Sequence, residues 1–174
     1  MKKAASIFLR AEIQPYDVTQ MICWMENPHI TRYLNEKTGV ADELSAMLQT
    51  VPAPLLSLQF NRQGRFFLIC DDAGRAIGFV KLREQREKGV YEIVYAIGEE
   101  ALWGNGYGCS AIRAALRTAF LEWRAQKVIA KIHMQNQRSI NAVRSCGFAC
   151  ESKGEKLHCY SMTLEDYLRH MLRR

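Results

Sequence analysis

The stretch from Val90 to Met134 constrains the fold more than any other part of the chain. "VYEIVYAI" (Val90 to Ile97) has the β-branched and aromatic content of a strand, and "KVIAKIHM" (Lys127 to Met134) reads as a second, short one. Between them lie three glycines at alternate positions, Gly104, Gly106 and Gly108, and then a helical pattern. Ile112, Leu116, Ala119, Phe120 and Trp123 fall on one helical face, with Arg113, Arg117 and Arg124 directed elsewhere. Strand, helix and strand in one sheet require a right-handed crossover and a parallel pair. Upstream, "RFFLICDD" (Arg65 to Asp72) and "AIGFVKLRE" (Ala76 to Glu84) are joined through the turn sequence "DDAGR", and "QREKG" leads on to Val90, so these three strands form an antiparallel meander. The fold class expected is mixed α/β (α+β): a mostly antiparallel central sheet with one parallel pair, flanked by helices, in a single domain over residues 1–174.

The flanking segments fit that scheme. "SIFLRAEI" (Ser6 to Ile13) reads as an edge strand, Tyr16 to Asn27 as a helix capped near Asp17, and Glu43 to Phe60 as a helix broken by Pro52 and Pro54. "NQRSINAVRSC" (Asn136 to Cys146) is a helix opened by Asn136 and stopped by Gly147, followed by two closing strands. In the tail, Leu164, Tyr167, Leu168, Met171 and Leu172 share one helical face expected to dock on the domain. A domain of this length buries about two thirds of its unfolded surface, so it needs neither metal nor disulfides to be stable.

With 48% hydrophobic and 24% charged residues, neither disorder nor a membrane span is expected. The opening "MKKAASIFLRAEI" is too short and too polar in its apolar run for a signal segment, which predicts a cytoplasmic protein. The six cysteines form no CxxC pair and lack histidines at zinc spacing, so free thiols and no metal are expected. The net charge of +6 favours an anionic partner without choosing among nucleic acid, acidic protein and polyphosphate.

The glycine loop narrows that choice. A helix N-terminus offers unpaired N–H groups and partial positive charge, and glycine removes the Cβ that would hold a phosphate away from them. A bare tight turn would look the same. Two familiar phosphate loops fail on the residues: a dinucleotide fingerprint needs glycine where Cys109 stands, and a P-loop needs a lysine that does not follow.

"WGNGYG" before the helix, followed about thirty residues later by Asn136-x-x-Ser139 and then Gly147-Phe148, resembles the GNAT family of acetyl-CoA-dependent N-acetyltransferases. Trp103 stands where the family usually has Gln or Arg. That departure, with Trp24 to Leu34 and Tyr160 to Tyr167, is similar to the branch containing ribosomal-protein N-terminal acetyltransferases. The resemblance implies acetyl-CoA as cosubstrate. Its pyrophosphate would lie on the N–H groups of Gly104, Asn105, Gly106, Tyr107, Gly108 and Cys109, with Trp103 before them and Ser110 nearby. The pantetheine arm would lie along Tyr95, Ala96 and Ile97 like an added strand, with Asn136 bonding one of its amides.

Acylation needs a neutral amine, and an ordinary lysine of pKa about 10.4 is almost wholly protonated at neutral pH. Glu92, in an apolar strand on the side of Val94 and Ala96, is the candidate base, directly or through water, and burial would raise its pKa; an ordinary strand carboxylate facing solvent is the alternative. A backbone N–H of Tyr95 or Ala96 on a bulged strand is the candidate oxyanion donor. The family's frequent tyrosine acid is replaced by Val143, which leaves Ser139, Tyr160 or no dedicated acid. His133 and His158 read as structural, and Cys109 as a conceivable ping-pong nucleophile in a family that usually transfers directly. The acceptor, a protein N-terminus or a small-molecule amine, is open. Trp24 to Leu34 and Glu43 to Arg62 are expected to shape its pocket, with Glu26, Glu36, Asp42 and Glu43 as scattered acidic candidates. A monomer or homodimer is expected, with no nucleic acid or membrane required. Two rivals stand beside this reading: a basic nucleic-acid-binding module using Arg138 and Arg144 in "NQRSINAVRSCGF", and a non-catalytic acetyl-CoA sensor of the same fold.

Overall fold

A computed structural model of the protein describes residues 6–34 and 38–173; Glu36 lies outside them. Among these described residues, seven strands form one sheet in the order β1-β2-β3-β4-β5-β7-β6, with β1 Phe8–Arg10, β2 Arg65–Cys70, β3 Ala76–Glu84, β4 Val90–Ile97, β5 Lys127–His133, β6 Ala149–Lys153 and β7 Leu157–Thr163. Every neighbouring pair is antiparallel except β4 and β5. This is the expected mostly antiparallel sheet with one parallel pair, and the meander strands β3 and β4 have the bounds that their composition indicated.

Among the described residues, seven α-helices cover the two faces: α1 Pro15–Glu26, α2 Pro28–Thr31, α3 Val40–Thr50, α4 Leu56–Phe60, α5 Tyr107–Arg117, α6 Gln137–Ser145 and α7 Leu164–Leu172. Strand alternation divides the core between them. On β4 and β5, Ile93, Ile97, Val128, Ala130 and Ile132 join the core under α5, α6 and α7. Phe66, Leu68, Phe79 and Ala96 join the core under α1, α3 and α4. The tail helix docks through Tyr167, stacked on Phe120 at 5.0 Å, while Leu168, Met171 and Leu172 of the expected apolar face stay exposed.

Helix α1 begins earlier than expected. Pro15 supplies its first turn with a preset φ, and Asp17 sits inside that turn, accepting from the Gln14 N–H at 2.8 Å and pairing with Arg10 at 2.7 Å. At its other end, Trp24 lies flat over Gly98. A Cβ on Gly98 would fall 2.2 Å from the indole, so only glycine lets α1 settle against the end of β4.

The parallel ladder is short. It pairs Val90, Tyr91 and Glu92 with Lys127, Val128 and Ile129 and then stops, while β4 runs on beside β3 to Ile97. Beyond Glu92 the two strands separate, and the gap between them forms a cleft.

Candidate active site

The gap opens a cleft of about 610 Å³, within the usual range for small-molecule sites. Its walls are β4 from Ile93 to Ile97, β5 from Ala130 to Ile132, the loop into α5, the first turns of α6, and α2 with the residues after it. Because successive side chains point to opposite faces, lining residues come from both sides of the sheet. Tyr95 and Ile97 face the α5 and α6 side, whereas Val94 and Lys131 face the α2 side.

Ladder parity decides which backbone groups enter the gap. The Gly98 N–H donates to Ile77 O at 2.8 Å, and the β3–β4 register continues without a shift. Alternation therefore points Ala96 and Val94 amides at β3, and those of Ile93, Tyr95 and Ile97 into the gap. The expected bulge is absent from this ladder, and of the two candidate oxyanion donors the Tyr95 N–H, not that of Ala96, faces the cleft. The Ile97 carbonyl is already taken by Trp103, whose Nε1–H donates to it at 2.8 Å. Trp103 thus closes the free strand edge with its side chain.

The glycine loop ends in a helix start with no side-chain cap. Gly104 and Gly106 have φ of +77° and +89°, a region that L side chains rarely adopt, and a Cβ on either would meet nothing within 4 Å. Gly108 has a different role: its Cβ would lie 3.2 Å from the Tyr95 ring. The Ser110 N–H bonds back to Gly106 O and the Asn105 N–H to Leu102 O, so both are committed locally, and neither residue lines the cleft. The lining therefore takes in only part of the expected set. Gly104, Gly106, Tyr107, Gly108 and Cys109 line the cleft, and Tyr107 and Gly108 carry first-turn amides for which α5 itself supplies no partner.

Across the cleft, Asn136 caps α6 by accepting from the Ser139 N–H at 3.2 Å through Oδ1, and its NH2 end keeps donors for a ligand. Ser139 bonds the Tyr95 phenol. Burial pushes that phenol up to about 12, so it stays protonated throughout the working range. Arg138 is a charged group of the cleft that the sequence reading placed only in a rival scheme. Its guanidinium lies 3.8 Å above the Trp103 ring, beside the amide loop. Uncapped amides, a helix dipole and a guanidinium form a donor set suited to a pyrophosphate.

Two expected residues, Tyr160 and Glu92, stand outside the cleft lining. Tyr160 is buried in the core on β7, opposite Ala130 and beneath Arg144, and is not a candidate acid. Glu92 is buried, on the side of Val94 and Ala96 as expected, but its carboxylate accepts from Lys131 Nζ at 3.2 Å. Lys131 lines the cleft and Glu92 stands just behind it. Cys109 holds its thiol 3.3 Å from the Ser145 hydroxyl. Cys146 donates to the Cys109 carbonyl at 3.6 Å, and its own pKa is raised by Cys109 and by burial. Of the segments expected to shape the acceptor pocket, only His29 to Leu34 reach the cleft; nothing between Glu43 and Arg62 does.

A central sheet that splits beside the uncapped start of α5 leaves a cleft suited to a phosphate-bearing ligand. Residues 7–149 match the family model described as an acetyltransferase (GNAT) domain, and the chain belongs to the GNAT family. It is 26% identical over 167 residues to an uncharacterized N-acetyltransferase p20 of Bacillus licheniformis, covering 89% of each chain. Its fold is that of a spermidine N-acetyltransferase from Vibrio cholerae solved with CoA and spermine, with TM-score 0.75, 20% identity, and coverage of 93% of this chain and 98% of that one. An aminoglycoside acetyltransferase solved with coenzyme A and kanamycin aligns at TM-score 0.75 and 17% identity, covering 94% and 98%. At the level of the family, the protein is an acetyl-CoA-dependent N-acetyltransferase. No helix among the described residues is long and apolar enough to cross a membrane.

Proposed function

We propose that the protein transfers acetyl directly from acetyl-CoA to a primary amine, either a protein N-terminus or a small-molecule amine. The observation that carries this reading is the split sheet: the Tyr95 amide opens into a gap that runs from the phosphate-binding end of α5 to the α2 face. Acetyl-CoA supplies the activated thioester. Gly104, Gly106, Tyr107, Gly108, Cys109 and Arg138 would hold its phosphates, and the edge of β4 with Asn136 would hold its pantetheine amides.

The remaining work falls to the chain's own groups. The Tyr95 N–H is fixed by the β3–β4 ladder, so it can meet developing oxygen charge without reorganising, an effect usually worth about 3 kcal/mol per donor. Glu92 takes the proton of the acceptor amine. Because Lys131 stands between it and the cleft, the proton travels through one water. Ser139, held by the Tyr95 phenol, keeps a proton at the α6 end for the leaving thiolate. The finer assignment to the ribosomal-protein N-terminal acetyltransferase branch is supported by Trp103 in the loop and by the place of His29 to Leu34 at the cleft.

Glu92→Gln tests the scheme. The account expects kcat to fall by about 10² to 10⁴, the usual contribution of a general base, with acetyl-CoA affinity unchanged. Unchanged kcat would remove Glu92 as the base. A wild-type protein that binds acetyl-CoA but acetylates no amine would instead favour the sensor.

A further inference from the structure

The cleft holds a primary amine of its own. Lys131 is the one lysine among its described lining residues; Arg32 and Arg138 also line it, but a guanidinium does not give up its proton in a protein. The Lys131 ammonium donates to the Glu92 carboxylate at 3.2 Å, so this amine is in direct contact with the base assigned above. Strand register brings the same amine to the reacting end of the gap. Glu92 pairs with Ile129 on the parallel ladder, and two residues further along the two strands stand Val94 and Lys131, on the face that carries Glu92. The Tyr95 amide opens into the gap one residue beyond Val94. A lysine stem is long and flexible, so from across the gap one side chain serves two stations, the carboxylate behind it and the amide ahead.

Resting on the acetyltransferase reading above, we propose that Lys131 is a site of self-acetylation, its Nζ taking the acetyl group that the cleft otherwise passes to an external amine. Nζ gives one proton to Glu92 and attacks the thioester carbon, while the Tyr95 N–H meets the developing oxygen charge. An N–C bond forms and the C–S bond breaks. The departing coenzyme A sulfur takes a proton at the α6 end, made good by the second proton that Nζ sheds, and Glu92 returns the first to solvent. The exchange is redox-neutral and needs no further reagent. A resident amine also reacts without the cost of gathering a second substrate, an advantage that good alignment makes large. The product side chain is neutral, so the ion pair with Glu92 ends with the transfer.

The test is a time course of the purified full chain with saturating acetyl-CoA, read by peptide mass spectrometry. Lys127 is the internal yardstick: it lies on the same strand and is likewise paired with a glutamate, Glu151, but stands outside the lining. Acetylation at Lys131 should run at least about tenfold faster than at Lys127 or at the exposed Lys153 and Lys156, with a rate constant independent of protein concentration. It should fall to the Lys127 level when excess coenzyme A competes for the cleft, and again in Glu92→Gln, with acetyl-CoA binding by that variant verified by calorimetry. Acetylation at Lys131 no faster than at Lys127, a rate constant that rises with protein concentration, or a fast rate that survives excess coenzyme A or Glu92→Gln would each overturn the proposal. Each leaves transfer to an external amine intact. Failure of the wild type to bind acetyl-CoA would overturn both.

Discussion

Arg138→Ala is the most informative change at the cofactor end of the cleft. The side chain stacks on Trp103 at 3.8 Å and stands beside the uncapped amides of α5, so two separable interactions end together. An exposed cation–π contact contributes about 0.5–1 kcal/mol, too little to threaten the fold. A charge-assisted bond to a phosphate contributes about 1.5–3 kcal/mol, and exposure to solvent places Arg138 at the lower end. Acetyl-CoA affinity should therefore weaken by about tenfold, since 1.4 kcal/mol is one decade. Arg138→Lys keeps the charge and loses the planar stack, so it should fall between the two. Isothermal calorimetry in low and moderate salt measures all three proteins, and the salt dependence should be shallower in the alanine variant. Wild-type affinity in Arg138→Ala, with a normal melting temperature, would refute the placement of the phosphates beside Trp103.

Three further changes probe how the fold holds the site. Gly98→Ala drives a methyl into Trp24, which has no room to retreat, and should cost about 1–3 kcal/mol in urea unfolding; a neutral result would mean that α1 is not seated on β4. Asp17→Ala removes the fully buried partner of Arg10 together with the bond to Gln14, and should cost about 3–5 kcal/mol by the same measurement. Thr163→Ala removes the cap of α7 and should cost about 1 kcal/mol at neutral pH. Thr163, by side chain and then backbone, holds the Asp166 carboxyl below the ordinary range. That contribution is complete above the unfolded aspartate value of about 3.9 and is lost as pH falls through the lower folded value. The melting-temperature gap between wild type and Thr163→Ala should accordingly narrow below about pH 4, and a gap that widens in acid would contradict the assignment.

Much of this site was legible in the residues because local chemistry fixed it. Three glycines before an amphipathic helix announce a backbone that needs positive φ or close approach, and the structure shows both: Gly104 and Gly106 by dihedral, Gly108 by contact with Tyr95. Asn136 opened its helix as its residue type suggested. What the sequence could not show depended on parity and on partners from distant strands. The choice of Tyr95 over Ala96 follows from one bond between Gly98 and Ile77, and the absence of a bulge from a register spanning two whole strands. Lys131 lies 39 positions from Glu92 and meets it only because the parallel pairing of Glu92 with Ile129 sets β4 beside β5. Arg138 and Trp103 are 35 apart and likewise required tertiary packing. Tyr160 had the right chemistry and the wrong face, since strand alternation buries it opposite Ala130.

The account rests on the split between β4 and β5 being a coenzyme site, and calorimetric titration of the purified chain with acetyl-CoA tests that most directly. One acetyl-CoA should bind per chain, with a dissociation constant in the range of ordinary substrates, about 1 μM to 1 mM. Absence of binding heat with ligand raised past that range would contradict it.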